Sequence, residues 1–394
     1  MFLCRSFHIF FLKKKYQNTQ FFLSFLLLLV FLYSTYKISY YFLFDIIIDL
    51  VVQMNKLDLS IQDTYVLKGL ALILLLVHHL FCEMDGPFND IVFNGIHVLQ
   101  AFSSGFSKFC VALFVFLSGY GLTKSTNLEN KRIKKQLLPF YWRRIVKLML
   151  NYWLIWILFV PIGIIFFNRS FPEVYGPYYL IKTIIDFFGL AYAFGYFGYN
   201  ATWWFYSCIL VLYFIFPYIF LLRRSKLTFL FVVLFFSILG PHTYVLKACT
   251  PYHYSFVLGI LMATYNLVLK KNSIIICLIT IIIVGLFRII RLGGVIWQDP
   301  ILCYFITVVY ASTNIHKWLK ISLSFLGKHS FNIFLFHTFI YLYYFPNFIY
   351  WTPNPLLIFF TMLLTCLFVS ILIEYLKVYI GFFKLQKYLL GLMS

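Results

Sequence analysis

Charged side chains are scarce in this sequence, and acidic ones are the scarcest. Only 11% of the 394 residues are charged, and Asp and Glu together number 12. In contrast, 63% of the residues are hydrophobic, and the mean hydropathy is +0.90. A soluble domain could not bury so much apolar surface, so several segments must face lipid. The composition excludes a soluble globular protein and predicts an integral membrane protein.

The eight cysteines also lack the spacing of a metal site, because no CxxC or CxxH pattern occurs. Most of them lie inside apolar runs, whereas zinc sites and disulfide frameworks show regular spacings. Neither a Ser-His-Asp pattern nor a phosphate-binding glycine loop is present. The sequence therefore predicts no metal and no disulfide framework.

Basic residues outnumber acidic ones and give a net charge of +20. In a soluble protein this excess would indicate nucleic-acid binding. Here the Lys and Arg residues lie in short loops between apolar runs, where they fix the orientation of membrane helices. The expected partner of these charges is the lipid bilayer, and no nucleic acid is expected.

Ten apolar segments are candidates for membrane spans, which need about 20 mostly apolar residues, or fewer where flanking side chains reach the interface. An eleventh, 178–199, contains Lys182, Asp186 and several glycines, and we interpret it as a re-entrant or interfacial element. The predicted fold class is all-α, a polytopic membrane helix bundle of about ten transmembrane helices with this one additional element. The ten predicted spans are 64–81, 106–122, 145–167, 203–222, 227–240, 252–269, 273–290, 299–314, 330–346 and 356–376.

The loops differ in charge, and this difference predicts the orientation. Loop 123–144 is rich in Lys and Arg, whereas loop 82–105 contains three acidic residues. Because cytoplasmic loops carry the excess of Lys and Arg, 123–144 is predicted to be cytoplasmic, as are both ends of the ten-span unit. Arg288 and Arg291 are exceptions near the outer surface. The expected location is the plasma (inner) membrane, as a multi-pass protein.

The first 53 residues fit this pattern poorly. Residues 21–52 are apolar but interrupted by Lys37, Asp45 and Asp49. Three interpretations remain open: a membrane hairpin, a signal-like segment, or upstream sequence included by a misassigned start before Met54. We therefore treat 1–53 as an uncertain extension and 54–394 as the functional membrane domain.

One predicted span contains ionisable residues that lipid would not tolerate without a reason. Lys68 and His79 are eleven positions apart, so on a helix they lie within about 20° of one another and about 16 Å apart along the axis. His78 is rotated away by about 100°. Charged residues within spans are functional candidates. The alternative is that Lys68 reaches the interface and His79 ends the span.

Five stretches of sequence resemble, in the same order, the motifs of the acyltransferase-3 family of membrane acyltransferases. Lys68 and His79 match the family pattern of Arg or Lys, ten residues, then His. The similarity covers about 56–376. The stretches are LKGLALILLLVHHL, FCVALFVFLSGYGL (109–122), FYWRRIVKL (140–148), ATWWFYSCILVLYFIFP (201–217) and LGKHSFNIFLFHTFI (326–340).

The resemblance implies an activity. Members of this family commonly move an acetyl group from acetyl-CoA onto sugars of cell-surface polysaccharides, lipopolysaccharides or peptidoglycan. We therefore expect an O-acyltransferase with acyl-CoA as co-substrate, no permanently bound cofactor, and an extracytoplasmic glycan or lipid-linked sugar as acceptor. His79 is the expected general base, since neutral imidazole accepts a proton near pH 7. An acyl-histidine intermediate is a second possibility. Lys68 would orient the donor.

Cations at the start of the third span are candidates for binding the phosphates of the donor. They are Arg143, Arg144 and Lys147. The family often has Arg-x-x-Arg at this point, whereas here Arg144 is followed by Lys147, which keeps the charge but loses the bidentate fork. The cluster could equally be a topology anchor that contacts anionic lipid.

Three further residues are candidates for contacts with substrate. His337 lies in the middle of a span, where it is either a substrate contact or a core histidine bonded to a neighbouring helix. Glu83 lies just beyond His79 and could bind sugar hydroxyls, although a solvated loop carboxylate is the common case. Trp203 could stack on a sugar, although aromatic residues are expected at this depth anyway.

Two other functions remain possible. A transporter or flippase of a lipid-linked sugar would also use a bundle with buried charge. No inverted repeat or pair of broken helices is visible, which weighs against this alternative. A polysaccharide polymerase would need large outer loops with several Arg and His residues, but the longest outer segment, 168–202, contains one Arg.

Overall fold

The computed structural model describes most of the chain from residue 55 onward. The described residues are 55–56, 58–82, 96–128, 133–242, 244–265, 267–268, 274–291 and 295–392. Within them the regular secondary structure is helical except for one two-residue antiparallel pairing, in which Asn55 lies opposite Val268 and Lys56 opposite Leu267. The predicted all-α class is therefore confirmed. The predicted extension 1–53 lies outside the described residues.

The described α-helices and short strands follow one another along the chain without any larger sheet. Two π-helical segments interrupt them: the first π segment, Phe102–Phe106, and the second π segment, Phe339–Tyr344. In chain order the elements are β1 (Asn55–Lys56), α1 (Ile61–Phe81), α2 (Ile96–Ala101), α3 (Cys110–Lys124), α4 (Ile133–Phe166), α5 (Phe171–Tyr175), α6 (Tyr179–Phe187), α7 (Trp204–Leu222), α8 (Lys226–Leu239), α9 (Tyr244–Cys249), α10 (His253–Tyr265), β2 (Leu267–Val268), α11 (Ile274–Ile289), α12 (Val295–Ser312), α13 (Lys317–Thr338), α14 (Pro346–Ile349), α15 (Pro355–Tyr379) and α16 (Phe382–Gly391).

Five of the described helical runs are long and apolar enough to cross a membrane. Two shorter apolar helices, α8 and α11, fall below that length. Each of the ten predicted spans overlaps a described helix, but the predicted number of crossings is not established by these lengths. The five runs are Ile61–Phe81, Leu99–Lys124, Lys135–Phe166, Ala201–Leu222 and Pro355–Tyr379.

Helices α1 and α13 pack at very short range because each has a glycine at the contact. A Cβ on Gly69 would collide with the carbonyl of Leu323, and a Cβ on Gly327 would collide with the carbonyl of Tyr65. Small residues allow membrane helices to approach one another this closely. The contact fixes the helix of Lys68 and His79 against the helix of His337.

A second close pair is formed by α3 and α10. A Cβ on Gly119 would collide with the carbonyl of Phe256, and a Cβ on Gly259 would collide with the carbonyl of Phe116. The glycine of the FLSGYGL stretch therefore serves helix packing, as small residues commonly do in membrane helices.

The segment predicted to be re-entrant or interfacial is irregular. Its longest helix, α6, has nine residues and spans about 14 Å. The hydrocarbon core of a bilayer is about 30 Å thick, so α6 alone cannot cross it. The rest of 178–199 consists of turns and the short 3₁₀ segment Ala191–Phe194.

An ion pair explains one of the two exceptions in the charge pattern. Arg288 of α11 is 3% exposed and forms a salt bridge with Asp299 of α12, which is completely buried. A buried charge needs such a partner. Arg288 is thus a packing residue between two helices and not a loop residue.

Two cysteines form a disulfide, which the absence of a spacing pattern did not predict. Cys208 of α7 and Cys249 of α9 are bonded, with their Cα atoms 5.5 Å apart. That separation is typical of disulfides. The prediction of no disulfide framework did not anticipate this single pair, because adjacent helices bring together residues 41 positions apart in sequence.

Candidate active site

Helix α1 carries Lys68 and His79, the two ionisable residues predicted to lie in one stripe along the same face of the helix. Ser60 caps this helix, since its hydroxyl accepts from the N–H of Asp63 at 3.1 Å and the Asp63 carboxylate accepts from the N–H of Ser60 at 3.0 Å. The helix then runs without interruption from Ile61 to Phe81. Lys68 and His79 therefore keep the expected geometry, on one face and about 16 Å apart along the axis.

His79 lies among three other rings. Its ring centroid is 4.9 Å from that of His337, 5.0 Å from that of His78 and 6.1 Å from that of Tyr341. The hydroxyl of Tyr341 is 3.4 Å from Nδ1 of His79, and within the described part of the chain this is its one hydrogen-bond contact. These four rings form the ring group: α1 supplies His78 and His79, α13 supplies His337, and the second π segment supplies Tyr341.

His337 is completely buried, and one of its ring nitrogens is committed to the backbone. Its Nδ1 lies 3.0 Å from the carbonyl oxygen of Ile333 and 2.9 Å from that of Phe334. A carbonyl oxygen can only accept a hydrogen bond, so Nδ1 carries the proton. In the neutral ring Nε2 then holds the lone pair.

A short chain of hydroxyl groups leads to Nε2 of His337. The Thr338 hydroxyl lies 3.4 Å from Nε2 and 3.0 Å from the Thr202 hydroxyl. Thr202 donates its single hydroxyl proton to the amide oxygen of Asn200 at 2.8 Å, so across the 3.0 Å contact Thr338 is the donor and Thr202 the acceptor. Because Thr338 donates its single hydroxyl proton to Thr202, it does not donate to Nε2 of His337. Nε2 therefore remains able to accept a hydrogen bond from a substrate hydroxyl.

Both π segments contact this group of histidines. In the first π segment, the carbonyl oxygen of Ser103 lies 2.9 Å from Nδ1 of His78, and the Ser103 hydroxyl donates to the carbonyl of Phe81 at 2.7 Å. In the second π segment, Tyr341 reaches His79. π-helical turns frequently occur at functional sites. His78 is bonded to a different element from His79, as expected because adjacent helical residues point in different directions.

Lys68 is partly buried and has no described carboxylate within ion-pair distance. Its Nζ lies 5.7 Å from the ring centroid of Tyr65, a weak cation–π contact. An ammonium group in a helix that can cross a membrane is costly unless water or a ligand solvates it. This arrangement suits a residue that meets an anionic or polar group of a substrate.

The three cations predicted to bind the donor lie together on α4 and point in different directions. Arg144 is partly buried and donates through Nη2 to the hydroxyl of Ser125, beyond the end of α3, at 2.9 Å. Arg143 and Lys147 are exposed. Of the three, Arg144 is turned towards the bundle.

Trp203 supports the helix of His337. It is 2% exposed, and its indole N–H donates to the carbonyl of Leu335 at 2.9 Å. The ring of Tyr152 packs edge-on against it at 4.7 Å between centroids. Stacking of a sugar on Trp203 stays a prediction, and in this structure the indole anchors α13.

A buried carboxyl holds the segment that precedes α7. Asp186 accepts from the hydroxyl of Tyr175 at 2.6 Å and from the backbone N–H of Tyr199 at 2.8 Å. Burial raises the pKa of this carboxyl to about 6, although the hydrogen bonds from Tyr175, Tyr199 and Tyr152 act in the opposite direction. Because Asn200 follows Tyr199 directly, Asp186 helps to place the hydroxyl chain beside His337.

Two predicted features remain to be placed. Glu83 lies outside the described residues, as do Lys131 and Arg132 of the predicted cytoplasmic loop. Although three histidine rings lie close together, no group of three or more His, Cys, Asp or Glu among the described residues is arranged to hold a metal ion.

Comparison with known protein families gives one match. The model of the acyltransferase-3 family, described as an acyltransferase domain, matches residues 63–375. The chain belongs to the acyltransferase-3 family. The match begins in the first turn of α1 and ends near the end of α15, so this acyltransferase domain contains all the residues of the ring group. Searches of curated proteins and of solved structures found no match.

The resemblance seen in the sequence is thereby confirmed, and the chain is a membrane acyltransferase. Its sequence motifs pointed to His79, Lys68 and His337 but not to Tyr341, Thr338 or Thr202. Tyr341 lies one residue beyond the last of these motifs, and because it belongs to the second π segment no α-helical spacing indicated it.

Proposed function

We propose that this acyltransferase moves an acyl group, expected to be acetyl, from a cytoplasmic acyl-CoA to a sugar hydroxyl of a cell-surface polysaccharide or its lipid-linked precursor. The observation that carries the proposal is the pair of imidazole rings, His79 and His337, 4.9 Å apart within an acyltransferase domain. A hydroxyl between them would meet two nitrogen atoms able to act on its proton.

The reaction needs one general base, and that base ends the reaction in the protonation state in which it began. The acceptor oxygen attacks the thioester carbonyl while His79 removes the hydroxyl proton, which gives a tetrahedral intermediate and an imidazolium. Collapse of the intermediate breaks the carbon–sulfur bond, and the departing CoA thiolate takes the proton back from the imidazolium. Nε2 of His337 would accept a hydrogen bond from a second hydroxyl of the sugar, which orients the acceptor.

Donor binding is assigned to the end of the bundle that lies opposite to the ring group. Arg144, supported by Arg143 and Lys147, would hold the phosphates of the acyl-CoA. Lys68, on the same face of α1 as His79 but three turns away, would contact the chain of the donor between its phosphates and its thioester. The turn of Arg144 towards Ser125 of the neighbouring element supports this assignment.

The proposed arrangement in the membrane has about ten crossings, with both ends of residues 54–394 in the cytoplasm and 178–199 as an element that does not cross. The short length of α6 supports the last point. In this orientation His79 lies towards the outer side and Lys68 towards the cytoplasm, so an acyl group supplied from one side reaches an acceptor on the other.

The test uses membrane vesicles from cells that express the full chain, supplied with acetyl-CoA labelled either in the acetyl group or in the adenine. We expect acetyl label, but no adenine label, in the glycan fraction. Mass spectrometry of that fraction should show added acetyl groups that disappear when the chain is absent. A flippase would instead move lipid-linked sugar without any need for acetyl-CoA, and glycans free of acetyl label would refute the acyltransferase proposal.

A further inference from the structure

The second π segment places a tyrosine at His79 that none of the sequence motifs includes. Helix α13 ends at Thr338, and the chain continues as a π-helix from Phe339 to Tyr344. A π-helical turn is wider than an α-helical one and shifts the side chains that follow it around the axis. Tyr341 lies in the middle of this segment, is 7% exposed, and extends its hydroxyl to within 3.4 Å of Nδ1 of His79.

The neighbouring tyrosines of the same segment have other contacts. Tyr344 donates its hydroxyl to the carbonyl of Phe159 at 2.7 Å, and the hydroxyl of Tyr343 accepts from the N–H of Ala201 at 3.3 Å. Both bonds are made to the backbone of other elements and stabilise the packing of the segment. Tyr341 alone of these three is directed at an ionisable side chain of the ring group.

We propose that Tyr341 is a positioning residue for His79, an inference that rests on the proposed acyl transfer. Its hydroxyl oxygen accepts the proton of Nδ1, which selects the neutral ring with the lone pair on Nε2. Nε2 is then the nitrogen that removes the proton of the acceptor hydroxyl. The arrangement has the logic of a base oriented by a third group.

The contact also changes in strength during the reaction. When His79 takes up a proton, Nδ1–H belongs to a cation, and a hydrogen bond from a charged donor is roughly twice as strong as a neutral one. A distance of 3.4 Å is long for a bond at rest, but catalytic hydrogen bonds are often long in the absence of substrate and shorten in the complex. Tyr341 therefore favours the protonated state of His79 more than the resting state.

Among the described groups near His79, Tyr341 is the one placed to accept the proton of Nδ1. The titratable and charged groups that face it are His78, His337, Tyr341 and Lys108. His78 and His337 commit their Nδ1 atoms to backbone carbonyls, and Lys108 is a cation that can only donate. Within the described chain, the Tyr341 oxygen is the acceptor available to Nδ1 of His79.

The experiment compares Tyr341→Phe with Tyr344→Phe in the vesicle assay with labelled acetyl-CoA. Each variant removes one hydroxyl from the same π segment and keeps the ring. We expect Tyr341→Phe to lower kcat by about 10- to 100-fold, the effect of losing a hydrogen bond to a charged group, with an unchanged KM for acetyl-CoA. We expect Tyr344→Phe to keep the wild-type rate per folded molecule. The amount of folded protein is measured by size-exclusion chromatography in detergent.

A second measurement separates positioning from packing. Without the tyrosine oxygen the charged imidazole is less favoured, so the acid side of the pH–rate profile of Tyr341→Phe should move to lower pH. An effect on packing alone would reduce the amount of folded protein and leave the profile in place. A wild-type rate and profile in Tyr341→Phe would overturn the inference while leaving the acyltransferase proposal intact. A wild-type protein that transfers no label would overturn both.

Discussion

Replacing His79 by alanine is the most direct test of the ring group. His79 is partly exposed within the group and has a single described hydrogen-bond contact, so its removal should cost little packing. As a general base it should contribute about 10²–10⁴-fold to the rate, or roughly 3–5 kcal/mol of barrier. We therefore expect His79→Ala to lose acyl transfer by at least about a hundredfold, while the amount of protein in the membrane stays near that of the wild type.

The chain provides a matched control in the adjacent residue. His78 is also partly exposed and also a histidine, but its Nδ1 is bonded to the Ser103 carbonyl at 2.9 Å. His78→Ala should therefore cost about 1 kcal/mol of stability, the value of one hydrogen bond, and leave the rate per folded molecule within a few-fold of the wild type.

The assay is transfer of acetyl label to glycan, normalised to folded protein in the same vesicles. The reasoning fails if His79→Ala keeps a rate close to that of the wild type. It also fails if His78→Ala loses as much activity as His79→Ala, because the two rings would then have no separate tasks.

Other substitutions test the fold and the donor end. Gly327→Ala should lower the melting temperature in detergent, since its methyl group meets the backbone of α1 at a cost of about 1–3 kcal/mol, whereas Gly121→Ala has open space and should not. Asp186 has a folded pKa of about 6 against 3.8, so the folded state binds the extra proton and stability should fall by up to about 3 kcal/mol as the pH rises from about 4 to 6. Asp186→Asn should lack that pH dependence in thermal melts. Arg144→Gln should raise the KM for acetyl-CoA by about tenfold or more with little change in kcat, and Arg143→Gln should have a smaller effect; equal effects would contradict the inward turn of Arg144.

The helix with the stripe could be predicted from sequence almost completely. Its apolar run, the Ser60 cap and the spacing of Lys68 and His79 all depend on residues within one helix, and helical geometry is the same everywhere. The close pairing of α1 with α13 was not predictable in this way. It depends on where Gly69 and Gly327 meet, and nothing in either helix alone determines that meeting.

The partners of the histidines were beyond local patterns for the same reason. Tyr341 is 262 residues from His79 in sequence, and its direction depends on a π-helical turn that the sequence around it does not announce. Trp203 illustrates the opposite difficulty. An aromatic residue at the start of a span predicts an interfacial or sugar-binding position, yet here the indole is buried and bonded to the backbone of α13.

The buried ion pair bears on the orientation proposed for the whole bundle. Arg288 and Arg291 were the two cations that disagreed with an outward position of the loop after α11. The positive-inside pattern concerns residues in loops and near helix ends that contact the membrane surface. Arg288 is 3% exposed and neutralised by Asp299, so it does not contribute to that pattern. Arg291 then remains as a single exposed exception, which a ten-span arrangement with a cytoplasmic 123–144 loop accommodates more readily than two.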